Sequence, residues 1–295
     1  METIRDIRVR LKSIDSTKQI TESMRMISTR KVQRTKTRME ENRIYSEQSL
    51  KTVKDTVADY YFGDSKHAYI AGHDAKDIQE AGGKPLILVI TGDRGLCGGY
   101  NINASKEAVA LAQKFGGDAD FISIGSKGRD YLRRRGKNII KAYRGLSESP
   151  FHKDALNIGG IALDMYNKKS ASEVHVVYTA YHTMLSQTPK SVRLLPLDLE
   201  TGESAGTVKD EQSYETDADA FFEAVAASYV HNRLFSAMLE SAVCEQCSKL
   251  TSMDSAVKNS EKIIDALTLQ YNQMRQSAIT QEIAEIVGGA NAVEK

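Results

Sequence analysis

The chain has 295 residues, with forty basic side chains against thirty-nine acidic ones and a formal charge of +1 at neutral pH. That balance speaks against a bulk polyanion binder and against an acidic tail. Three cysteines (Cys97, Cys244 and Cys247) are too few, and odd in number, for a secreted disulfide scaffold; no apolar run approaches the ~18 residues of a membrane span.

Charge begins at Glu2, without the apolar core of a signal peptide, so a targeting segment is expected to be absent or already removed. A cytosolic, reducing setting is expected. Residues 1–60 lack glycine and proline and open with Ile4, Ile7, Leu11 and Ile14 at 3-4 spacing, so one helix is predicted. In residues 1–38 eleven cations face four anions, an excess of seven. Between Arg25 and Arg38 the apolar stripe thins to Val32 while six cations crowd fourteen residues. The expectation is that this stretch is not buried in its own protein. It is a solvated face, a DNA-reading helix or a surface for an acidic partner. The absence of a neighbouring zipper in the usual order weakens the DNA reading. The partner surface is preferred.

Residues 61–83 read as a linker holding a short helix at 75–81. His67 and His73 lie there without a third ligand, so no metal site is expected. Residues 84–206 change period. A continuous apolar strand at 86–90 runs into Gly92, Gly95, Gly98 and Gly99, and a helix follows at 103–115. Strand 120–124, helix 126–135, strand 138–142, helix 152–168 and strands 173–181 and 192–197 complete a Rossmann-like α/β domain. The last two strands form a hairpin through a loop around Thr188 and Pro189.

The loop from Gly92 to Gly99 invites a nucleotide-binding enzyme as the alternative function. It lacks the lysine of a Walker loop and the G-x-G-x-x-G spacing of a dinucleotide loop. A tight strand-to-helix turn is the simpler reading. The histidines do not cluster in sequence and no nucleophile–base pattern appears, so no catalytic residue and no cofactor are assigned.

Residues 207–295 form the second arm. No glycine or proline falls between Thr207 and Val287. Leu250, Met253, Val257, Ser260, Ile264, Leu267, Tyr271, Met274 and Ala278 mark a 3-4 seam. A start near Thr216, with Asp219 three residues on, gives a helix of roughly 100 Å. Its stripe needs a partner, and the N-terminal helix supplies it. The fold class is therefore α/β: a long antiparallel coiled coil of the terminal helices with the α/β domain inserted between them. Cys244 and Cys247, deep inside the arm, read as helix packing rather than a redox pair.

Three segments then carry a resemblance. Ile279-Thr280-Gln281-Glu282, with Glu285 and Gly289-Ala290, resembles the C-terminal signature of the gamma subunit of F-type ATP synthases. Residues 4–34 resemble that family's opening, and Thr91-Gly92-Asp93-Arg94-Gly95-Leu96-Cys97-Gly98 through Asn101 resembles its middle loop. The resemblance implies a non-catalytic rotor subunit of the central stalk. It would carry torque between a proton-driven membrane c-ring and the ring of alpha and beta subunits, with the epsilon subunit at its foot. It implies a peripheral place on the cytoplasmic face of the bacterial cell membrane, no nucleic acid, and no covalent or transmembrane anchor. By the same resemblance Arg275 and Gln276 meet the beta catch loops, and Met24 and Arg25 meet the beta lever arms. Ile286 and Val287 form the shaft tip, and Tyr214 and Glu215 face the c-ring. The family often has proline where Thr216 stands, and small residues where Cys244 and Cys247 stand.

Overall fold

The computed structural model describes residues 3–60, 67–197 and 218–293. The expected helix start at Thr216, like Tyr214 and Glu215, lies outside the described residues. The chain divides into two compact units: residues 1–28 with 250–295, and residues 29–249. Two long helices contribute to both, α1 (Ile4–Tyr60) and α7 (Ala218–Val293).

In the first unit, Thr3 and Asp6 close the start of α1 reciprocally. The Asp6 amide donates to the Thr3 hydroxyl and the Thr3 amide donates to the Asp6 carboxylate. Two of the unpaired amides that every helix start exposes are satisfied in this way. The helices then run antiparallel, as three cross-links show. Arg8 donates to the Tyr271 hydroxyl, Lys18 pairs with Glu261 and Arg25 pairs with Asp254. Each advance along α1 is met by an equal retreat along α7. Ile7, Met253, Val257 and Leu267 are buried between them. Every seam position predicted on α7 from Met253 to Ala278 is buried or half-buried. Residues 279–289 are all exposed.

The seam on α1 does not stop where its large apolar residues thin out. Thr21 and Ser28 in the first unit, and Val32 and Thr35 in the second, are buried at the same 3-4 spacing. The hydroxyls of Thr21 and Thr35 donate to the carbonyls four residues back. A short side chain that satisfies its own hydroxyl costs little to bury. The expectation that this basic stretch cannot be buried in its own protein is therefore corrected for one face. An apolar count overlooks serine and threonine as seam residues.

The second unit is built on a five-stranded sheet. Its strands are β1 (Lys84–Ile90), β2 (Asp120–Ile124), β3 (Asn138–Tyr143), β4 (Ala171–Tyr181) and β5 (Gln187–Leu195), in the order β3-β2-β1-β4-β5. All neighbours are parallel except the β4–β5 hairpin. Helices α4 (Tyr100–Lys114), α5 (Ser126–Arg133) and α6 (His152–Asn167) connect the strands, and α2 (Ala68–Ala71) and α3 (Ala75–Glu80) precede them.

Strand β1 shows why the run Leu-Ile-Leu-Val-Ile had to be buried on both sides. Leu86, Leu88 and Ile90 pack in one core with Ile158 and Ala162 of α6 and Val230 and Leu234 of α7. Ile87 and Val89 pack in the other with Ala108 and Leu111 of α4 and Leu132 of α5. Alternate side chains of one strand thus feed two helical layers. The start of α7 is itself one of those layers. Strand β5 begins five residues before the predicted 192 and takes Pro189 into the ladder opposite Thr179. An edge strand tolerates proline because one of its sides needs no donor.

Two outcomes follow. At Gly125, φ is +100° and an added Cβ would collide with the Thr91 carbonyl oxygen. Gly125→Ala is expected to destabilise the α/β unit by on the order of 3 kcal/mol, read as a lowered urea midpoint. In hydrogen exchange, the amides of residues 279–289 should exchange far faster than those of 253–267, because no second helix among the described residues covers them.

Candidate partner-binding site

The turn after β1 spends its polar groups on its own chain. The Gly92 amide donates to Asn101 Oδ1 at 2.7 Å, and Asn101 Nδ2 returns to the Arg94 carbonyl at 3.1 Å. Asp93 neither pairs with Arg94 nor reaches outward. Its Oδ1 accepts from the amide and hydroxyl of Ser126 at the start of α5, at 2.9 and 2.8 Å. Its Oδ2 accepts from the Gly145 amide at 2.8 Å. One carboxylate thereby ties together the turns after β1, β2 and β3. Its charge also suits the N-terminus of α5.

Gly92 is held close to α7, since a Cβ there would stand 2.8 Å from Glu245 Oε1. Glu245 is fully buried. The Lys249 ammonium stands 2.7 Å from the same oxygen. Burial pushes the Glu245 carboxyl up against the opposing charge of Lys249. Lys249 also donates to Glu148 at 3.0 Å, and Glu148 accepts from Lys31 of α1 at 2.6 Å. Seven residues along α1, Arg38 donates to the Ser149 hydroxyl and the Pro150 carbonyl. A chain of charges thus joins α1, the loop after β3 and α7. This joint was not legible in the sequence, because Lys31, Glu148 and Lys249 are each more than a hundred residues from the next.

Around the joint α7 is covered on every side. All residues from Ser241 to Cys247 are buried. Tyr100 and Ser241 share a hydroxyl–hydroxyl bond of 2.7 Å, the Tyr181 amide donates to Glu240, and Ser248 donates to Gln187. Cys244 packs with Cys97 and Tyr100. All three cysteines are buried thiols, and desolvation pushes each of them up. A thiol in that state is a packing group.

The residues assigned by resemblance fall into separate patches. Met24 is 43% exposed on the outer side of α1. Arg25, next to it, is engaged across the seam with Asp254 at 3.1 Å. Arg275 and Gln276 are exposed, and their side chains form no hydrogen bond or ion pair among the described residues. Arg275 lies near Tyr271, whose hydroxyl is held below its ordinary range by the Arg8 hydrogen bond and then by the charges of Arg8 and Arg275. Arg275 is about 30 Å along α7 from Asp254. Ile286 and Val287 are 72% and 53% exposed. With Ile279 and Ile283 they make an exposed apolar stripe on a stretch of α7 that no other described segment covers. In the second unit Arg30 and Arg34 are exposed one turn apart on α1. None of these patches is a pocket. They are faces of helices, suited to sliding or docking contacts.

The family model described as ATP synthase matches residues 3–293. The ATP synthase gamma chain of Alkaliphilus metalliredigens is 36% identical over 297 residues, covering 99% of both chains. That of Desulforamulus reducens is 37% identical over 294 residues, covering all of both. Among solved structures, a chain of the Euglena gracilis mitochondrial ATP synthase (OSCP/F1/c-ring) aligns with a TM-score of 0.61 at 20% identity, over 98% of this chain and 94% of that one. A chain of the Tetrahymena thermophila central stalk/c-ring aligns at 0.59 and 19%, over 80% and 99%. No helix among the described residues is long and apolar enough to cross a membrane.

The joint has a pH signature. Burial raises the Glu148 carboxyl, but hydrogen bonds from Lys31 and Lys249 outweigh it and hold the group at about 2, against an ordinary 4.5. A carboxylate lowered on folding stabilises fully above its unfolded value and loses that contribution as pH falls through the folded one. Glu148→Gln should therefore lower the urea midpoint at neutral pH. Its difference from the parent should shrink between pH 4.5 and about 2. A constant difference across that range would mean that the charge is not what stabilises the joint.

Proposed function

The chain belongs to the ATP synthase gamma-chain family, and we propose that it is the non-catalytic rotor shaft of that complex. In this reading the helix pair stands inside the ring of alpha and beta subunits. The α/β unit, with the epsilon subunit, rests on the membrane c-ring at the cytoplasmic face of a bacterial membrane. Ion flow turns the ring, the ring turns this chain, and the turning shaft presents different faces to three catalytic sites in succession.

The observation that carries the reading is the division of labour along α1 and α7. Their inward faces are spent on each other, while Met24, Arg275, Gln276, Ile286 and Val287 are left outward. A shaft needs that arrangement: internal contacts to keep its register and outer contacts that form and break as it turns. An exposed Arg275 offers a rigid fork for an acidic loop. The bare stripe of Ile279, Ile283 and Ile286 suits an apolar sleeve. Chemistry would be confined to the surrounding subunits, with this chain moving their equilibria by differential contact.

Two experiments test this. With the full chain as bait in native membranes, the expected catch is alpha, beta, epsilon and c subunits together with ATPase activity; the chain recovered by itself would sink the proposal. Arg275→Ala should reduce coupled ATP hydrolysis and torque in the assembled complex several-fold. The stability of the chain should change by less than about 0.5 kcal/mol, as for any exposed side chain without internal partners. A large fall in the unfolding midpoint would instead make Arg275 an internal contact.

A further inference from the structure

A second basic cluster lies on the α/β unit, on the edge formed by α5 and β3. Residues 126–144 hold eight cations and one acidic residue, Asp130. Asp130 is taken by Arg129 at 2.6 Å. Other nearby carboxylates are also engaged: Asp120 accepts from Asn138, Asp118 pairs with Lys84, and Asp93 faces inward on Ser126 and Gly145. Lys127, Arg133, Arg134 and Arg144 are exposed, and their side chains form no hydrogen bond or ion pair among the described residues. Arg135 lies over the Tyr131 ring at 3.8 Å and keeps its outer side open.

Part of this has a structural purpose. β3 is an edge strand, and its pairing with β2 slips between Phe121 and Ile122, leaving Ile140 as an extra residue 44% exposed. A bulge and a lysine, here Lys141, are what an edge needs to refuse another strand. One lysine would serve. The remaining cations exceed that purpose, and the same bulge speaks against an acidic strand being added.

The shape of the edge separates the remaining partners. Among the described residues it shows no buried anchor, and its free charges sit on long, exposed side chains. Such a surface cannot fix one orientation of a folded partner, because that needs a desolvated centre. It suits a diffuse and fluid array of anions. We propose that the α5–β3 edge is a contact surface for anionic phospholipid headgroups. The proposal stands apart from the rotor reading, since vesicle binding by the full chain needs no other subunit.

The test is sedimentation of the full chain with vesicles containing phosphatidylglycerol and with pure phosphatidylcholine vesicles. The neutral vesicles measure adhesion by the apolar end of α7. Binding to the anionic vesicles should be at least about tenfold stronger, since each basic residue brought to such a surface adds about fivefold. It should fall steeply with added salt. Arg133→Glu with Arg134→Glu should abolish the difference, and the two glutamine substitutions should reduce it part of the way. Arg30→Glu with Arg34→Glu, on α1, should leave it in place. Equal binding to both vesicle types would overturn the proposal, as would loss in the α1 pair with the α5 pair unaffected. Salt-sensitive retention on an acidic polypeptide without vesicle binding would assign the edge to a protein instead.

Discussion

An apolar stripe on a helix of 76 residues cannot stay in water along its length. Most of this structure follows from how α7 disposes of that stripe. It does so in three ways. At residues 222–238 the stripe closes the core beneath β1 and β4, packing with α6. Near residues 241–247 the helix is enclosed. From Met253 to Ala278 it lies against α1. Beyond Ala278 none of these remains, and apolar side chains are left bare. Each region has its own chemistry: apolar residues under the sheet, small side chains mixed with the buried Glu245 and Gln246 where the helix is enclosed, and a regular 3-4 seam with charged cross-links against α1.

Charge is used in the same graded way. The cations of α1 were grouped in the sequence as one run, yet they do different things. Arg25 links across the seam, Lys31 and Arg38 grip the loop after β3, and Arg30 and Arg34 face outward. Position on the helix decides this. Arg25, Val32 and Met39 recur at seven-residue spacing on the seam itself, and Lys31 and Arg38 flank it. An exposed ion pair contributes little to stability. A pair that reaches Glu148 beside a buried Glu245 is different, because removing one member leaves charge in a poorly solvated place.

Much of the architecture was legible in the residues. The seam on α7, the order of strands and helices, and the doubly buried β1 all follow from spacing that one element reveals without its neighbours. What was hidden had one of two causes. The first is substitution of roles: Thr21, Ser28 and Thr35 do seam work that an apolar count assigns only to larger side chains, and Pro189 sits in a strand because the strand is an edge. The second is distance in sequence. Glu245, Lys249, Glu148 and Lys31 become one group only after folding, and Asp93 gives no sign of its four backbone and hydroxyl donors on Ser126, Gly145 and Ser147. The outward patches were legible only through resemblance, since an exposed arginine or methionine carries no local mark of what it meets.

The enclosure of Ser241 to Cys247 has a mechanical meaning. A rod touched along one side can roll in its bed. A rod gripped all round, with Tyr100, Tyr181 and Gln187 fastened to its surface and Lys249 wedged beside Glu148, is keyed into its socket. Within this unit α7 cannot spin about its own axis unless the sheet turns with it. The small side chains there, two cysteines among them, let the socket close so tightly. A bulkier residue at Cys244 or Cys247 would enlarge the bore and introduce backlash between the helix and the sheet long before it unfolded either one.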